Sequence, residues 1–311
     1  MTNVTVADNP AVYESLLETY YDEMTPITSK KPWMVGAGNH EANCDNGGSG
    51  SYTESLCLVG QTNFTGYRNH FRMPSEVSGG VGNFWYSFDN GMVHFVVIDT
   101  ETDLGNGLLG PDEPGASGDE MGGPFGSYPN EQIDWLTNDL KSVDRSLTPW
   151  VVVAAHRPWY SPVDNDICTN CSLAFDQVLY EHGVDVVYNG HVHVMTRWPP
   201  MFNGTADPNG LDNPSYPWYL LNGAAGHYSG LDSFTYPLPS YFEWGLDISN
   251  ATYGWSKLTF HNSTHMTNEF ISSSNNTVLD SATLFKDRSG KPKGKPEPKP
   301  KQGNGNGNGH F

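Results

Sequence analysis

Apolar positions recur along the chain in two periods, and their order predicts an α/β protein. From Asn9-Pro10, a cap followed by a first-turn proline, Val12, Leu16 and Tyr20 repeat at four-residue spacing, with Tyr13, Leu17 and Tyr21 beside them. This predicts one amphipathic helix that stops at Thr25-Pro26. Trp33-Met34-Val35 predicts a short buried strand, and residues 84–88 with 92–99 predict a β-hairpin around Asp89-Asn90-Gly91. Asn130 is expected to cap a helix carrying Ile133, Leu136 and Leu140 that fades near Arg145. Ser172 is expected to cap another, with Leu173, Phe175, Val178 and Leu179 apolar, ending at Gly183. Trp150 to Ala155 is an apolar run of strand length, and Val184 to Tyr188 is another interrupted only by Asp185, the pattern of strands buried on both faces. Residues 214–285 predict more strands, at Trp218 to Leu221, Trp255 to Phe260 and Asn268 to Ser272, in a sheet with one wet face.

Polar chemistry falls just beyond the carboxyl ends of three of these strands. Gly36-Ala37-Gly38-Asn39-His40-Glu41 follows the first, His156 follows Ala155, and Asn189-Gly190-His191-Val192-His193 follows the run from Val184. In an open α/β sheet that end is where ligands bind, and neutral imidazole is the commonest side-chain metal ligand. Gly-His-x-His alone reads equally well as a surface turn, but a design used three times is hard to attribute to scattered turns. An amide oxygen with three imidazoles suits a first-row transition metal, whereas calcium or magnesium would want mostly carboxylates. Two ions about 3.5–4 Å apart are the standard device for in-line attack on phosphorus.

Composition narrows the partners. The 311 residues allow one large domain or two small ones. With 16 Lys plus Arg against 35 Asp plus Glu, the net charge of −19 repels nucleic acid and anionic membrane surfaces. No run approaches the length of a membrane span, and Met1 to Asn9 is too polar for a signal peptide. Seven Asn-x-Ser/Thr sequons, at Asn3, Asn63, Asn170, Asn203, Asn250, Asn262 and Asn275, nevertheless point to a secreted glycoprotein. Four cysteines allow three connectivities. Cys44 with Cys57, around a Gly/Ser-rich loop, and Cys168 with Cys171 form the natural pairing, and a zinc ribbon would need a second Cys-x-x-Cys. Residues 103–129 read as a Gly/Pro-rich loop, and the Lys/Pro and Asn/Gly repeats after Ser289 as a disordered tail.

Gly38-Asn39-His40-Glu41, Val153-Ala154-Ala155-His156 and Gly190-His191-Val192-His193 together resemble the third, fourth and fifth motif blocks of the purple acid phosphatases, within the calcineurin-like metallophosphoesterases. The resemblance implies a sandwich of two mixed β-sheets flanked by helices, lacking its N-terminal strands. It divides the chain into a catalytic part at 1–213, a C-terminal phosphatase segment at 214–288 packed on the same domain, and the tail at 289–311. It implies acid hydrolysis of phosphate monoesters at a ferric ion paired with zinc, manganese or ferrous iron. Asn39, His156 and His191 would hold the divalent ion, His193 the ferric ion, and His40 would contact the phosphate or protonate the leaving group. His70, His94, His182, His227, His261 and His265 match no motif and are read as structural or surface residues. Two family blocks that supply iron with aspartates and a tyrosinate have no counterpart here; Gly118-Asp119-Glu120-Met121-Gly122 imitates one but stands in a loop after the third block. Their strands would be expected beside 33–35 and 184–188, leaving an exposed edge. Asp164-Asn165-Asp166 stands where plant members carry a histidine. At most one divalent ion is therefore expected, and a catalytically inactive secreted glycoprotein is the alternative. Oligomeric state is left open.

Overall fold

In the computed structural model, which describes residues 10–42, 63–109, 126–164, 167–227 and 230–289, these apolar runs become the middle of a sheet. The chain starts with helices α1 (Pro10–Thr28), α2 (Asn39–Ala42), α3 (Thr65–His70) and α4 (Ser75–Ser78). A hairpin, β1 (Tyr86–Asn90) and β2 (Val93–Ile98), and a smaller one, β3 (Asp103–Gly105) and β4 (Leu108–Leu109), follow. Then come α5 (Glu131–Ser142), β5 (Trp150–Ala155), α6 (Thr169–Glu181) and β6 (Val186–Asn189). The remaining elements are strands, β7 (Met195–Phe202), β8 (Thr205–Ala206), β9 (Trp218–Asn222), β10 (Trp244–Leu246), β11 (Gly254–Phe260), β12 (His265–Ser272) and β13 (Val278–Phe285), apart from one 3-10 turn at Ile248–Asn250.

The main sheet runs β1-β2-β5-β6-β9-β7-β10, with β8 paired to β7. β2, β5, β6 and β9 are mutually parallel, and the outer neighbours are antiparallel. Register aligns Ile98, Ala155, Asn189 and Leu221 in one row across the four parallel strands. One face of the sheet, with Val96, Val151, Val153, Val187 and Tyr219, packs on Ile133, Leu136 and Leu140 of α5 and Phe175 and Leu179 of α6. The other face, with Trp150, Val152, Val186 and Trp218, packs on Met266, Phe270 and Leu284 of a second, antiparallel sheet β11-β12-β13. Each buried side chain of this size contributes about 1.5–3 kcal/mol, so both faces need their cover. The upper part of the second face is roofed instead by residues 34–37, over a cavity of about 290 Å³ that Phe95, Val97, Ala154 and Tyr188 line from below.

Several expectations are corrected. Trp33 to Val35 is extended but joins no ladder: Val35 N–H reaches Met73 Sδ at 3.5 Å, and its carbonyl accepts from Tyr86 Oη at 2.7 Å, so side chains satisfy what a neighbouring strand would. β6 is no edge, because β5 and β9 pair with it on either side. Helix α1 passes Pro26, since Ser29 N–H still reaches Thr25 O at 3.0 Å and only the proline's own bond is lost. Its half-buried residues are Leu17, Tyr21 and Met24, while Leu16 and Tyr20 face solvent. Asn130 is the N-cap residue of α5, as expected, but in a left-handed conformation and without a side-chain cap bond; its side chain instead accepts from Asn106 N–H and ties the β3–β4 turn to α5. Helix α6 starts at Thr169, ahead of Ser172, with the sulfur of Cys168 accepting from Cys171 N–H at 3.2 Å. The Cys168–Cys171 disulfide is present. Cys44, Cys57, residues 118–122, Asn165 and Asp166 lie outside the described residues.

Candidate metal centre

The row Ile98, Ala155, Asn189, Leu221 brings four strand ends level, and the side chains that follow it meet above the sheet. His156 follows β5 at once. Asn189 stitches its loop down, donating from Nδ2 to the carbonyls of Ala155 at 3.3 Å and Arg157 at 3.1 Å. Gly190 N–H donates to His156 O at 3.0 Å, and His191 then takes φ 66°, a left-handed turn that aims its ring back at His156. Asn39 arrives from the other side, in the single helical turn α2. Gly38 must be glycine there, because a Cβ would lie 2.9 Å from the His156 ring. Glu41 Oε2 accepts Gly38 N–H at 2.9 Å and fixes the turn.

Three lone-pair atoms converge as a result. His156 Nε2 lies 2.7 Å from Asn39 Oδ1, and His191 Nδ1 lies 3.2 Å from the same oxygen and 3.1 Å from His156 Nε2. Asn39 is 4% exposed. Desolvation, with Arg157 adding its charge, lowers His156 to about 3 and His191 to about 2, so both rings are neutral, as metal ligands must be. Ligands spaced around a tetrahedral zinc sit about 3.3 Å apart, close to the sides of this triangle.

His193 stands apart from that triangle. Its backbone N–H donates to Asp232 Oδ2 at 2.7 Å, and its ring faces His227 at 4.4 Å between centroids. His40, exposed at the mouth, lies 5.2 Å from the same His227 ring. His227, which matches no motif, thus has its ring close to those of both other histidines. Behind His191, Arg157 Nη1 approaches Nε2 at 3.3 Å, and Arg157 Nε donates to Glu101 Oε2 at 2.8 Å. Glu101 is wholly buried. Glu101 and His227 were legible by the rule that found the others: one follows β2, the other follows β9 after Gly223-Ala224-Ala225-Gly226. Among the described residues no three carboxylates, thiolates or imidazoles gather to hold an ion, because the triangle's third donor is an amide oxygen.

Comparison with known proteins fits this geometry. A family model for iron/zinc purple acid phosphatase-like protein C matches residues 216–281, and one for calcineurin-like phosphoesterase matches 7–195. Acid phosphatase A of Cryphonectria parasitica is 39% identical over 92% of this chain and 59% of its own length. An acid phosphatase of Aspergillus ficuum is 35% identical over 90% and 53%, and purple acid phosphatase 18 of Arabidopsis thaliana 31% identical over 80% and 47%. The chain thus spans about half the length of the curated relatives it matches. A purple acid phosphatase from yellow lupin (Lupinus luteus) seeds shares the fold, with a TM-score of 0.68 at 23% identity over 89% of this chain and 44% of that one. Since the phosphoesterase model alone spans more than half of the sequence, the chain belongs to the calcineurin-like phosphoesterase family, in the branch that contains the purple acid phosphatases.

Proposed function

We propose that the chain carries the divalent-ion half of an acid phosphatase site acting on phosphate monoesters. One observation carries this reading: Asn39 Oδ1, His156 Nε2 and His191 Nδ1 lie within 3.2 Å of one another. Two neutral imidazoles and an amide oxygen fit zinc, manganese or ferrous iron. When bound, such an ion neutralises a phosphoryl oxygen and makes a water molecule a better nucleophile. A ferric ion does not fit the histidine assigned to it, since a trivalent charge in a partly buried site needs anionic ligands and the imidazole of His193 is not one. No step is therefore routed through it.

The protein's own residues orient and move protons. His40, exposed at the mouth, reaches a leaving alkoxide and protonates it, while His193 and His227 form a wall of ring N–H donors for phosphate oxygens. Secretion is supported by the Cys168–Cys171 disulfide and by the exposure of Asn170, Asn203, Asn250, Asn262 and Asn275. Among the described residues no helix is long and apolar enough to cross a membrane.

Metal analysis after dialysis against zinc or manganese tests the ligand count, with no more than one divalent ion per chain and little iron expected. Two tightly held ions would refute it. Hydrolysis of p-nitrophenyl phosphate near pH 5, lost in His156→Ala, tests the activity. The competing reading, a secreted glycoprotein without turnover, is favoured by the single imidazole at the second position, and a zinc-loaded chain with no hydrolysis would establish it.

A further inference from the structure

The disulfide at the start of α6 stands outside the candidate metal centre and carries an inference that does not depend on it. Cys168 and Cys171 are three residues apart, and α6 is the crossover helix between the parallel strands β5 and β6. A crossover helix runs back against its strands, so its N-terminus opens at their carboxyl ends, the edge that also carries His156. Cys168 N–H donates to Pro158 O at 2.9 Å and ties the disulfide to the loop that follows β5.

Three features separate this pair from an inert crosslink. Cys168 is the N-cap residue of α6, and its sulfur accepts Cys171 N–H at 3.2 Å. The helix is 13 residues long and has no acidic residue in its first turn, so no carboxylate of that turn opposes negative charge at the helix end. Burial is unequal: Cys171 is 0% exposed and packs in the core with Ala174 and Phe175, whereas Cys168 is half-buried. An incoming thiolate therefore has one sulfur to attack. The thiolate that Cys168 becomes on reduction already has an N–H donor and a positive helix end beside it, the environment that makes a Cys-x-x-Cys pair reactive.

We propose that Cys168 and Cys171 form a thiol–disulfide exchange site whose substrate is a dithiol. One thiolate of the dithiol attacks Cys168 Sγ; a mixed disulfide forms, the Cys168–Cys171 bond breaks, and its electron pair leaves on Cys171 Sγ, which takes up a proton. The second thiolate of the dithiol then attacks its partner sulfur in the mixed disulfide and expels Cys168 as a thiolate that accepts Cys171 N–H. The dithiol loses two electrons and becomes a disulfide, the cysteine pair gains them, and oxidation of the pair runs the same steps in reverse.

The test follows the disulfide in the intact chain with dithiothreitol as the probe. Oxidised protein is mixed with dithiothreitol at pH 7, quenched with iodoacetamide at intervals and digested, and the peptide carrying Cys168 and Cys171 is read by mass spectrometry. The folded chain is expected to be reduced at this pair at least about tenfold faster than the same chain unfolded in urea. Reduction of the folded chain no faster than of the unfolded one overturns the proposal. A short pulse of iodoacetamide on the reduced, folded chain is expected to label Cys168 before Cys171, and the reverse order overturns the direction of attack and the proposal with it. Thr169→Asp puts a carboxylate into the exposed first turn and is expected to slow reduction of the folded chain about two- to fivefold, with Thr169→Asn at the wild-type rate. A crosslink that only braces α6 would not respond to that charge, so equal rates in the two variants overturn the proposal.

Discussion

Replacing Asp185 by asparagine perturbs the end of the β6 strand opposite His191. Asp185 is 1% exposed, and its carboxylate meets Arg145 at 2.8 Å, Arg288 at 2.8 Å and Lys286 at 3.7 Å. Its Oδ2 also accepts Val151 N–H at 2.9 Å. Burial by itself would push this carboxyl up, yet Arg145, then Arg288 and Lys286, hold it below the usual carboxylate range. Asparagine keeps the shape and removes the charge, so three cations surround a neutral amide. Breaking a buried pair from one side costs about 3–5 kcal/mol. The Arg145 and Arg288 side chains are 32% and 26% exposed, so water relieves part of the cost, and the lower figure, about 3 kcal/mol, applies. At about 2–4 °C per kcal/mol, Tm should fall by roughly 6–12 °C. Because the folded pKa is depressed, the stabilisation is present above the unfolded carboxylate value of about 4 and is lost as pH falls through the folded value. Circular dichroism melts of both proteins from pH 7 down to pH 3 measure this, with zinc affinity as the unaffected control. A variant melting within about 2 °C of wild type at pH 7, or a gap undiminished at pH 3, refutes the reasoning.

Three more outcomes are expected. His156→Ala should weaken zinc binding by at least about 100-fold in chelator competition, while His193→Ala should change it less than about threefold; equal losses would show that the division of ligands is wrong. Gly223→Ala should weaken zinc binding without removing a ligand, because its Cβ would stand 2.0 Å from the Val192 carbonyl oxygen and push the loop between His191 and His193; unchanged zinc affinity contradicts this. Burial lowers the His94 pKa, but hydrogen bonds to Asp139 and Asp89 outweigh it and raise the value on balance. That stabilisation is complete below the unfolded value of about 6.5 and fades as pH rises through the folded value, so His94→Gln should cost about 1–2 kcal/mol in urea denaturation at pH 6 and less at pH 9.

The site was legible where local sequence suffices. β5 and the first three residues of β6 are apolar because both their faces are covered; His156 follows β5 directly, and His191 follows β6 after Gly190. Asn39 was found by its glycines and neighbours, although the segment before it is no strand: three apolar residues cannot say whether a hydrogen-bonding neighbour exists. β7 was not foreseen, since Pro199-Pro200 reads as a break. The ladder with β9 shifts register between Arg197 and Pro200, so a missing N–H there costs no regular bond. His227 was set aside for matching no motif, and only the alignment of Leu221 with Asn189 shows that its loop opens at the same end as that of His191. The approach of Arg157 Nη1 to His191 Nε2 at 3.3 Å is a matter of side-chain placement that no spacing encodes.

β9 follows β6 and β7 in the chain, yet lies between them in the sheet. The segment matched at 216–281 therefore supplies β9, a middle strand, and β10, at one edge, to a sheet whose β1, β2, β5 and β6 lie in the segment matched at 7–195. On the ribosome, β6 and β7 emerge with no common neighbour, and the sheet cannot close until residues near Asn222 have left the exit tunnel. Docking of the loops that carry His156 and His191 must wait for that late insertion. Recombination or proteolysis between Phe202 and Trp218 would yield two pieces that complement each other and neither of which stands alone, so these two stretches are bound to be inherited, synthesised and folded as one.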